Sequence, residues 1–108
     1  MKYNYMKDII ESYGFDFVNA NDYYKEIGLD YSKDMYDKSH VNVFGAEKYT
    51  DFLGKYLKEH YTLPDKRSDP QFAEWHTLYL DFQCASDEAK NIINESIKLR
   101  RQEGDEEV

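Results

Sequence analysis

The sequence contains few of the residues that restrain a small protein covalently or through its backbone. Its one cysteine, Cys84, cannot form a disulfide within the chain, and the 108 residues include only two prolines and five glycines. No apolar run approaches the roughly 20 residues that a membrane-spanning helix requires, and the segment after Met1 lacks the apolar stretch of a signal peptide. We therefore predict neither an internal disulfide nor a membrane span, and the compartment stays undetermined.

Positive charge is also scarce. The chain has 14 Lys and Arg residues against 22 Asp and Glu residues, which corresponds to a formal net charge of −8 at pH 7. A surface of this sign repels phosphate backbones and anionic lipid headgroups, so we expect neither nucleic acid nor a membrane surface as a partner. The one basic cluster, Lys98 with Arg100 and Arg101, falls at the end of a predicted helix, where cations favour the carbonyl end of the helix dipole.

The chain does contain the material for a hydrophobic core. Apolar residues make up 41% of the sequence and aromatic residues 17%, which is not the composition of a disordered segment. The length allows at most one small domain. We predict one domain over residues 1–103, followed by an acidic tail over residues 104–108.

The N-terminal segment predicts an α/β fold. Met6, Ile9 and Ile10 recur at helical spacing, and Gly14 can end that helix. Residues 15–19, Phe-Asp-Phe-Val-Asn, are rich in strand-forming side chains. A helix, a glycine and an apolar strand in that order are typical of a chain that enters a parallel sheet. The pattern therefore predicts a mostly helical α/β fold with one short strand.

The middle of the chain predicts one long loop between helices. A short helix is expected to end near Ile27, and residues 29–42 have no sustained period. The strongest helical pattern then runs from Val43 to His60. A compact domain seldom keeps a loop of this length without a function, so the loop is the first place to look for a site.

The C-terminal part predicts helix as well. Asp69 can cap a helix N-terminus, and Pro70 suits the first helical position. Aromatic residues then recur at spacings of three and four, and we expect them to form a packing face: Phe72, Trp75, Tyr79 and Phe82. The same rhythm continues through Ala89, Ile92, Ile93, Ser96 and Ile97. One long helix fits this pattern, and so do two helices separated near Ser86.

The end of the long loop carries the residues that are most suited to catalysis. Asp37 precedes His40 by three residues, and a turn of that spacing can place the carboxylate beside the imidazole Nδ1–H. A carboxylate in that position fixes the tautomer of the ring and stabilises the imidazolium that forms when Nε2 accepts a proton. Asn42 is placed to cap the following helix, and Gly45 has no side chain to obstruct a neighbour or a ligand. The catalytic candidates are therefore Asp37 and His40.

The run over residues 36–50, YDKSHVNVFGAEKYT, resembles the last conserved block of the SGNH/GDSL hydrolases. That block reads Asp, two variable residues, His, a hydrophobic residue, Asn, two variable residues, Gly, and then a helix. The downstream run YTLPDKR over residues 61–67 also resembles a bacterial branch of the family. The resemblance covers approximately residues 1–80, and residues 37–50 are its specific part.

The resemblance implies a fold, a reaction and two residue roles. The chain would form the C-terminal portion of a flavodoxin-like sheet-and-helix fold, in an enzyme that hydrolyses acyl esters, with carbohydrate deacetylation as one candidate reaction. His40 would match the general base and Asp37 the residue that orients it. We expect no cofactor and no metal.

Two further blocks of that family are missing from this sequence. In the family a Gly-Asp-Ser block supplies the nucleophile, and a Gly-x-Asn-Asp block contributes to the oxyanion hole. Neither block occurs here. The run most similar to Gly-x-Asn-Asp is NAND over residues 19–22, and it lacks the leading glycine. A His–Asp pair without these groups loses most of the acceleration of a triad, so we expect the chain to be inactive alone. A lone strand beside aromatic helix faces should also expose apolar surface, which predicts weak stability or self-association.

A second hypothesis is a small acidic helical module in which the Asp37–His40 spacing is incidental. Its acidic surface and long C-terminal helical stretch would then serve a protein partner. Geometry can separate the hypotheses. A carboxylate within hydrogen-bond reach of His40 Nδ1, with Nε2 facing an open cleft, favours the esterase.

The remaining polar residues suggest no further site. Asp30 and Asp34 lie near Asp37 without the spacing of a calcium loop, which favours a solvated acidic loop. His60, His76 and Cys84 lack the paired spacing of zinc ligands. Ser39, the neighbour of His40, is expected to point away from the ring and not to act as a nucleophile.

Overall fold

The computed structural model describes residues 2–106, and this part of the chain contains four α-helices. They are α1 (Lys2–Ser12), α2 (Tyr24–Ile27), α3 (Val43–His60) and α4 (Ala73–Glu106). Short 3₁₀ segments, Ala20–Tyr23 and Pro70–Phe72, lead directly into α2 and α4. The loop of residues 28–42 joins α2 to α3 and holds the candidate site.

The predicted α/β fold is wrong, because residues 2–106 form an all-helical fold without a strand or a sheet. Residues 15–19, which were expected to form the strand, connect α1 to the first 3₁₀ segment. A strand needs a neighbouring strand to satisfy its N–H and C=O groups, and this segment has none beside it. Its Asp16 carboxylate accepts a hydrogen bond from the Tyr61 hydroxyl instead. The one β-type contact in the described residues is an isolated antiparallel bridge between Met35 and Val41.

The helix ends follow the signals in the sequence. α1 stops before Gly14, whose φ of 80° suits a residue without a Cβ, and α2 stops before Gly28 at φ 68°. The Asp69 side chain accepts a hydrogen bond from the Gln71 backbone N–H, as expected of a cap. These predicted boundaries are confirmed.

The choice between one and two C-terminal helices is settled in favour of one. α4 passes Ser86 without interruption and continues to Glu106, so part of the predicted acidic tail is helical. Positions 107 and 108 of that tail lie outside the described residues. At 1.5 Å per residue, a 34-residue helix is about 50 Å long.

The hydrophobic core is small. Ile27 is the one large apolar side chain in the described residues that is buried, with 6% of its surface exposed. Beside it, three aromatic rings of α3 and the preceding 3₁₀ segment form a cluster: Tyr23 lies 4.8 Å from Phe52 and 6.2 Å from Tyr56 between ring centroids. This cluster holds α2 against α3.

The molecule is consequently flat and open. Its radius of gyration is 18.7 Å, whereas a compact domain of this length has about 13 Å. Its principal extents are 57 × 46 × 17 Å, so the structure is less than a third as thick as it is long. Within the described residues α1 packs against none of the other helices. The predicted exposure of apolar surface is therefore present, although a missing sheet is not its cause.

Contacts between α3 and α4 lie at the N-terminal end of α3. Lys90 of α4 forms an ion pair with Glu47 of α3 at 2.5 Å and also lies 5.8 Å from the Phe44 ring centroid. The Glu47 carboxylate raises the pKa of Lys90. Lys33 of the loop lies over the Phe44 ring as well, at 4.4 Å. These contacts bring the loop, α3 and α4 together around the candidate site.

Candidate active site

The first half of the site loop is organised around a buried carboxylate. Asp34 has 1% of its surface exposed, and its Oδ2 accepts hydrogen bonds from the Asp30 backbone N–H at 2.7 Å and from Lys48 Nζ at 2.5 Å. Lys48 also donates to the Gly28 carbonyl at 3.0 Å. A buried charge is tolerated when it is paired and hydrogen-bonded in this way. The ion pair therefore fastens the loop to the side of α3.

Asp30 closes the adjacent turn. Its Oδ1 accepts hydrogen bonds from the Ser32 backbone N–H at 2.9 Å and from the Ser32 hydroxyl at 2.6 Å, and these bonds lower the Asp30 pKa. The Asp34 backbone N–H donates to the Asp30 carbonyl at 2.7 Å. The expectation of a uniformly solvated acidic loop was therefore wrong for Asp34, because its cation comes from a helix that lies further along the chain.

Asn42 connects the second half of the loop to α3. Its Oδ1 accepts hydrogen bonds from the Phe44 and Gly45 backbone N–H groups at 2.9 and 3.3 Å, which confirms the predicted helix cap. Its Nδ2 donates to the Lys33 carbonyl at 2.5 Å, and its backbone N–H donates to the Asp34 carbonyl at 2.9 Å. One side chain therefore fixes both the start of α3 and the return of the loop.

Gly45 allows the loop to lie directly on α3. A Cβ at this position would lie 2.5 Å from the Asp34 carbonyl oxygen and 2.7 Å from the Val41 Cβ. Both distances are far below a van der Waals contact, so a larger residue would force the backbones apart. The sequence pattern indicated a small residue here, and the structure shows that the loop backbone, not a ligand, requires it.

The Asp37–His40 segment forms a tight turn at the tip of the loop. The Tyr36 backbone N–H donates to the His40 carbonyl at 2.8 Å, next to the bridge between Met35 and Val41. Inside the turn, Asp37 Oδ1 accepts hydrogen bonds from the Ser39 and His40 backbone N–H groups, both at 2.8 Å. The carboxylate thus holds the turn from within.

The same carboxylate contacts the imidazole. Asp37 Oδ2 and Oδ1 lie 2.9 and 3.0 Å from His40 Nδ1, which is the contact expected from the three-residue spacing. The Ser39 N–H, the imidazole and the His40 N–H together lower the Asp37 pKa to about 2. Asp37 is therefore ionised throughout the pH range in which a histidine changes charge.

The surroundings of His40 are open. The His40 side chain is 73% exposed and the Asp37 side chain 46%. A hollow between the loop and α4 reaches Asp37, but His40 does not line it. The geometry therefore supplies the acid–imidazole contact that favours an esterase and does not supply a cleft around the ring.

Ser39 lies closer to the ring than expected. Its Oγ is 3.2 Å from His40 Nδ1 and 3.4 Å from Asp37 Oδ1. The prediction that it points away from the ring was wrong, yet this placement still does not make it a nucleophile. The Asp37 carboxylate occupies the same edge of the ring, and a general base would act through Nε2 at the opposite edge.

The other residues considered in the sequence lie apart from this turn. His60 ends α3, where its ring stacks on Tyr56 at 3.9 Å and its Nδ1 lies 2.9 Å from the Tyr56 carbonyl. His76 and Cys84 are exposed on α4. No group of His, Cys, Asp and Glu side chains in residues 2–106 could hold a metal ion.

The residue pair that sequence reasoning missed is Asp34 and Lys48. The Asp30-x-x-x-Asp34 spacing is compatible with a closed turn, but nothing in the sequence linked Asp34 to a lysine 14 positions later.

No helix in the described part of the chain combines the length and apolar character needed to cross a bilayer. Comparison with known proteins found no matching family model, no matching curated protein and no matching solved structure.

Proposed function

We propose that Asp37 and His40 form the acid–base pair of an SGNH/GDSL-type serine ester hydrolase, acting on acyl esters such as acetylated carbohydrates. The observation that carries this proposal is the contact of both Asp37 carboxylate oxygens with His40 Nδ1 at 2.9 and 3.0 Å. The resemblance of residues 36–50 to the last conserved block of that family supports it.

The pair has the arrangement that general-base chemistry needs. An ionised Asp37 places the imidazole proton on Nδ1, which leaves the Nε2 lone pair free to accept a proton. Nε2 would take the proton of a serine hydroxyl as its oxygen attacks the ester carbonyl, and would return that proton to the leaving alcohol. A water molecule, activated in the same way, would then release the acyl group from the serine.

The nucleophile has to come from another polypeptide segment. Within residues 2–106, the serine that approaches the ring is Ser39, and it lies at Nδ1. The sequence also lacks the Gly-Asp-Ser and Gly-x-Asn-Asp blocks that would supply the serine and the oxyanion donors. We therefore propose that the chain is inactive until it is joined by a surface that carries those groups.

A complementation experiment tests this proposal. The chain is combined with the N-terminal portion of an SGNH hydrolase that carries both missing blocks, and hydrolysis of p-nitrophenyl acetate is measured. We expect turnover that falls by about a millionfold in His40→Ala and by about ten-thousandfold in Asp37→Asn. His60→Ala is the matched control and should leave kcat within about twofold, because that ring packs on Tyr56 away from the turn.

Two outcomes would contradict the proposal. Turnover by the combined protein that is unaffected by His40→Ala would remove the role of the imidazole. Turnover by the isolated chain that exceeds the turnover of its His40→Ala variant would remove the need for an external serine. Circular dichroism of each variant would show whether a loss of rate reflects a loss of helix.

A second candidate function is supported by a different region. Residues 70–85, which include the first 13 residues of α4, are all exposed, and among them are Trp75, Tyr79 and Phe82. The face that was expected to pack is therefore without a cover. An apolar surface of this extent favours the alternative function, a helical protein-interaction module.

A further inference from the structure

The exposed face of α4 is part of a longer stripe with coiled-coil periodicity. Eight small or apolar positions alternate at spacings of three and four residues along most of the helix: Trp75, Leu78, Phe82, Ala85, Ala89, Ile92, Ser96 and Leu99. The five large members, Trp75, Leu78, Phe82, Ile92 and Leu99, are each more than half exposed. A stripe with this period is the seam that a second helix covers in a coiled coil.

One edge of the stripe carries a row of carboxylates. Acidic residues recur every seven positions, in step with the stripe: Glu74, Asp81, Glu88 and Glu95. All four are exposed, and Glu95 already forms an ion pair with Lys98 of the same helix at 2.9 Å. Positions that flank an apolar seam set the choice of partner through charge, so the other three carboxylates call for cations on the facing helix.

The opposite edge of the stripe faces the molecule itself. Ser86 is buried and Ile93 is half-buried, and both lie on the same side of α4 as Lys90, which pairs with Glu47 of α3. The middle of this edge is therefore covered, and a partner helix can reach the full length of the stripe from the acidic edge.

A second copy of this chain does not satisfy that edge. Two copies of α4 paired in antiparallel would place the acidic rows against each other, and each chain carries a net charge of −8. Two parallel copies would place each acidic row opposite the side that includes Ser86 and Ile93, which is already occupied by α3. Both arrangements leave Glu74, Asp81 and Glu88 without cations, whereas the parallel one places Arg100 of the second copy opposite Glu95.

We propose that the α4 stripe docks a basic amphipathic helix, whose apolar side covers the stripe and whose Lys or Arg side chains face Glu74, Asp81, Glu88 and Glu95. This proposal rests on the second function above and is independent of the Asp37–His40 pair. It names the chemistry of the partner, which the interaction-module hypothesis leaves open.

The test uses the chain's single tryptophan as the reporter. Trp75 lies in the stripe and is 70% exposed, so its emission should shift to shorter wavelength when a helix covers it. The probe is a designed amphipathic peptide of roughly 28 residues with leucines at the seam and lysines at both flanking positions. A matched peptide with glutamates at those positions is the control.

We expect the lysine peptide to bind at least about tenfold more tightly than the glutamate peptide, and to weaken as salt is raised from low to about 0.5 M. Changing all four residues of the acidic row to lysine should reverse this preference, so that the glutamate peptide binds more tightly than the lysine peptide. A control variant with Asp8, Glu26, Asp51 and Glu59 changed to lysine alters the net charge equally and should keep it. If changing the acidic row to lysine reduces the helicity, the row is instead changed to the neutral amides, Glu to Gln and Asp to Asn. This variant should abolish the preference for the lysine peptide.

Each alternative result has a distinct meaning. Equal binding of both peptides would overturn the basic partner and leave a docking face, whereas a Trp75 signal that responds to neither peptide would overturn the docking face as well. A concentration-dependent shift of Trp75 emission in the chain alone, with a dimer in sedimentation, would show that a second copy is the occupant and overturn the proposal.

Discussion

The loop of residues 28–42 and the first half of α4 use polar and apolar residues in opposite ways. In the loop, Asp34, Asp37 and Asn42 each accept or donate several hydrogen bonds, and Gly45 of α3 lets the loop backbone lie on that helix. In the first half of α4, backbone hydrogen bonds stay within the helix, and the large side chains are exposed. One region is held by tertiary contacts, and the other is held by its own secondary structure.

The comparison shows that a precise local geometry does not require a large core. Hydrogen bonds to backbone N–H groups position Asp37 against His40 within a turn of four residues. The α4 helix, in contrast, is long and regular, yet its regularity says nothing about what covers it, because its backbone hydrogen bonds form within the helix whatever lies on its faces. Four experiments test this contrast, from the largest expected effect to the smallest.

Gly45→Ala should damage the loop most. Its Cβ would lie 2.5 Å from the Asp34 carbonyl oxygen, so the loop backbone has to move away from α3. We expect the free energy of unfolding to fall by about 2–4 kcal/mol, measured by urea denaturation with circular dichroism.

Gly54→Ala is the matched control for Gly45→Ala in the same helix. No atom lies within 4 Å of that Cβ, so this change should stabilise the protein by about 0.5–1 kcal/mol. If both variants changed the free energy of unfolding equally, the close approach of the loop backbone to α3 at Gly45 would be refuted.

Lys48→Met should have the next largest effect. It leaves the Asp34 carboxylate buried without its cation, which we expect to cost about 1–3 kcal/mol at neutral pH. Lys7→Met removes an exposed ion pair with Glu11 and should cost less than about 0.5 kcal/mol. Adding Asp34→Asn to Lys48→Met should recover part of the loss. Urea denaturation of the four proteins measures this, and similar values for the two lysine variants would count against the buried pair.

The Asp37 turn should resist acid until low pH. Because hydrogen bonds lower the pKa of Asp37 from 3.8 to about 2, the ionised form stabilises the turn above pH 3.8, and this stabilisation is lost as the pH falls through about 2. Carboxyl ¹³C NMR should give an Asp37 midpoint near 2. The midpoint should move upward in His40→Ala, which removes one of the donors, and should not move in His60→Ala. An ordinary midpoint in the unchanged protein would disprove the contacts.

Trp75→Ala should have the smallest effect on stability. Trp75 is 70% exposed, so we expect less than about 0.5 kcal/mol, even though the side chain is the largest in the chain. Ile27→Ala removes a side chain that is 6% exposed and should cost about 2–3 kcal/mol. Thermal unfolding of both variants measures the difference. A large loss in Trp75→Ala would mean that the stripe is already covered in the isolated protein.

The sequence was sufficient for features that depend on neighbouring residues. The helix ends at Gly14 and Gly28, the Asn42 cap and the contact of Asp37 with His40 all follow from spacings of four residues or fewer. The strand at residues 15–19 failed because its side chains favour a strand only when another strand is present to pair with. The placement of Ser39 failed because an Asp-centred turn, not an extended backbone, holds it beside the ring.

The sequence alone therefore determined the helical segments, the helix ends at Gly14 and Gly28, the Asn42 cap and the turn that places a carboxylate on an imidazole, but not whether α4 is continuous. Only the tertiary structure decided that Asp34 is buried against Lys48, that Gly45 is needed for a backbone contact and that the apolar stripe of α4 is open. The physical reason is distance along the chain. Local hydrogen bonds are specified by adjacent residues, whereas burial depends on which distant segments pack together. The periodicity of a sequence indicates that a helix has an apolar face, but it does not indicate which segment covers that face.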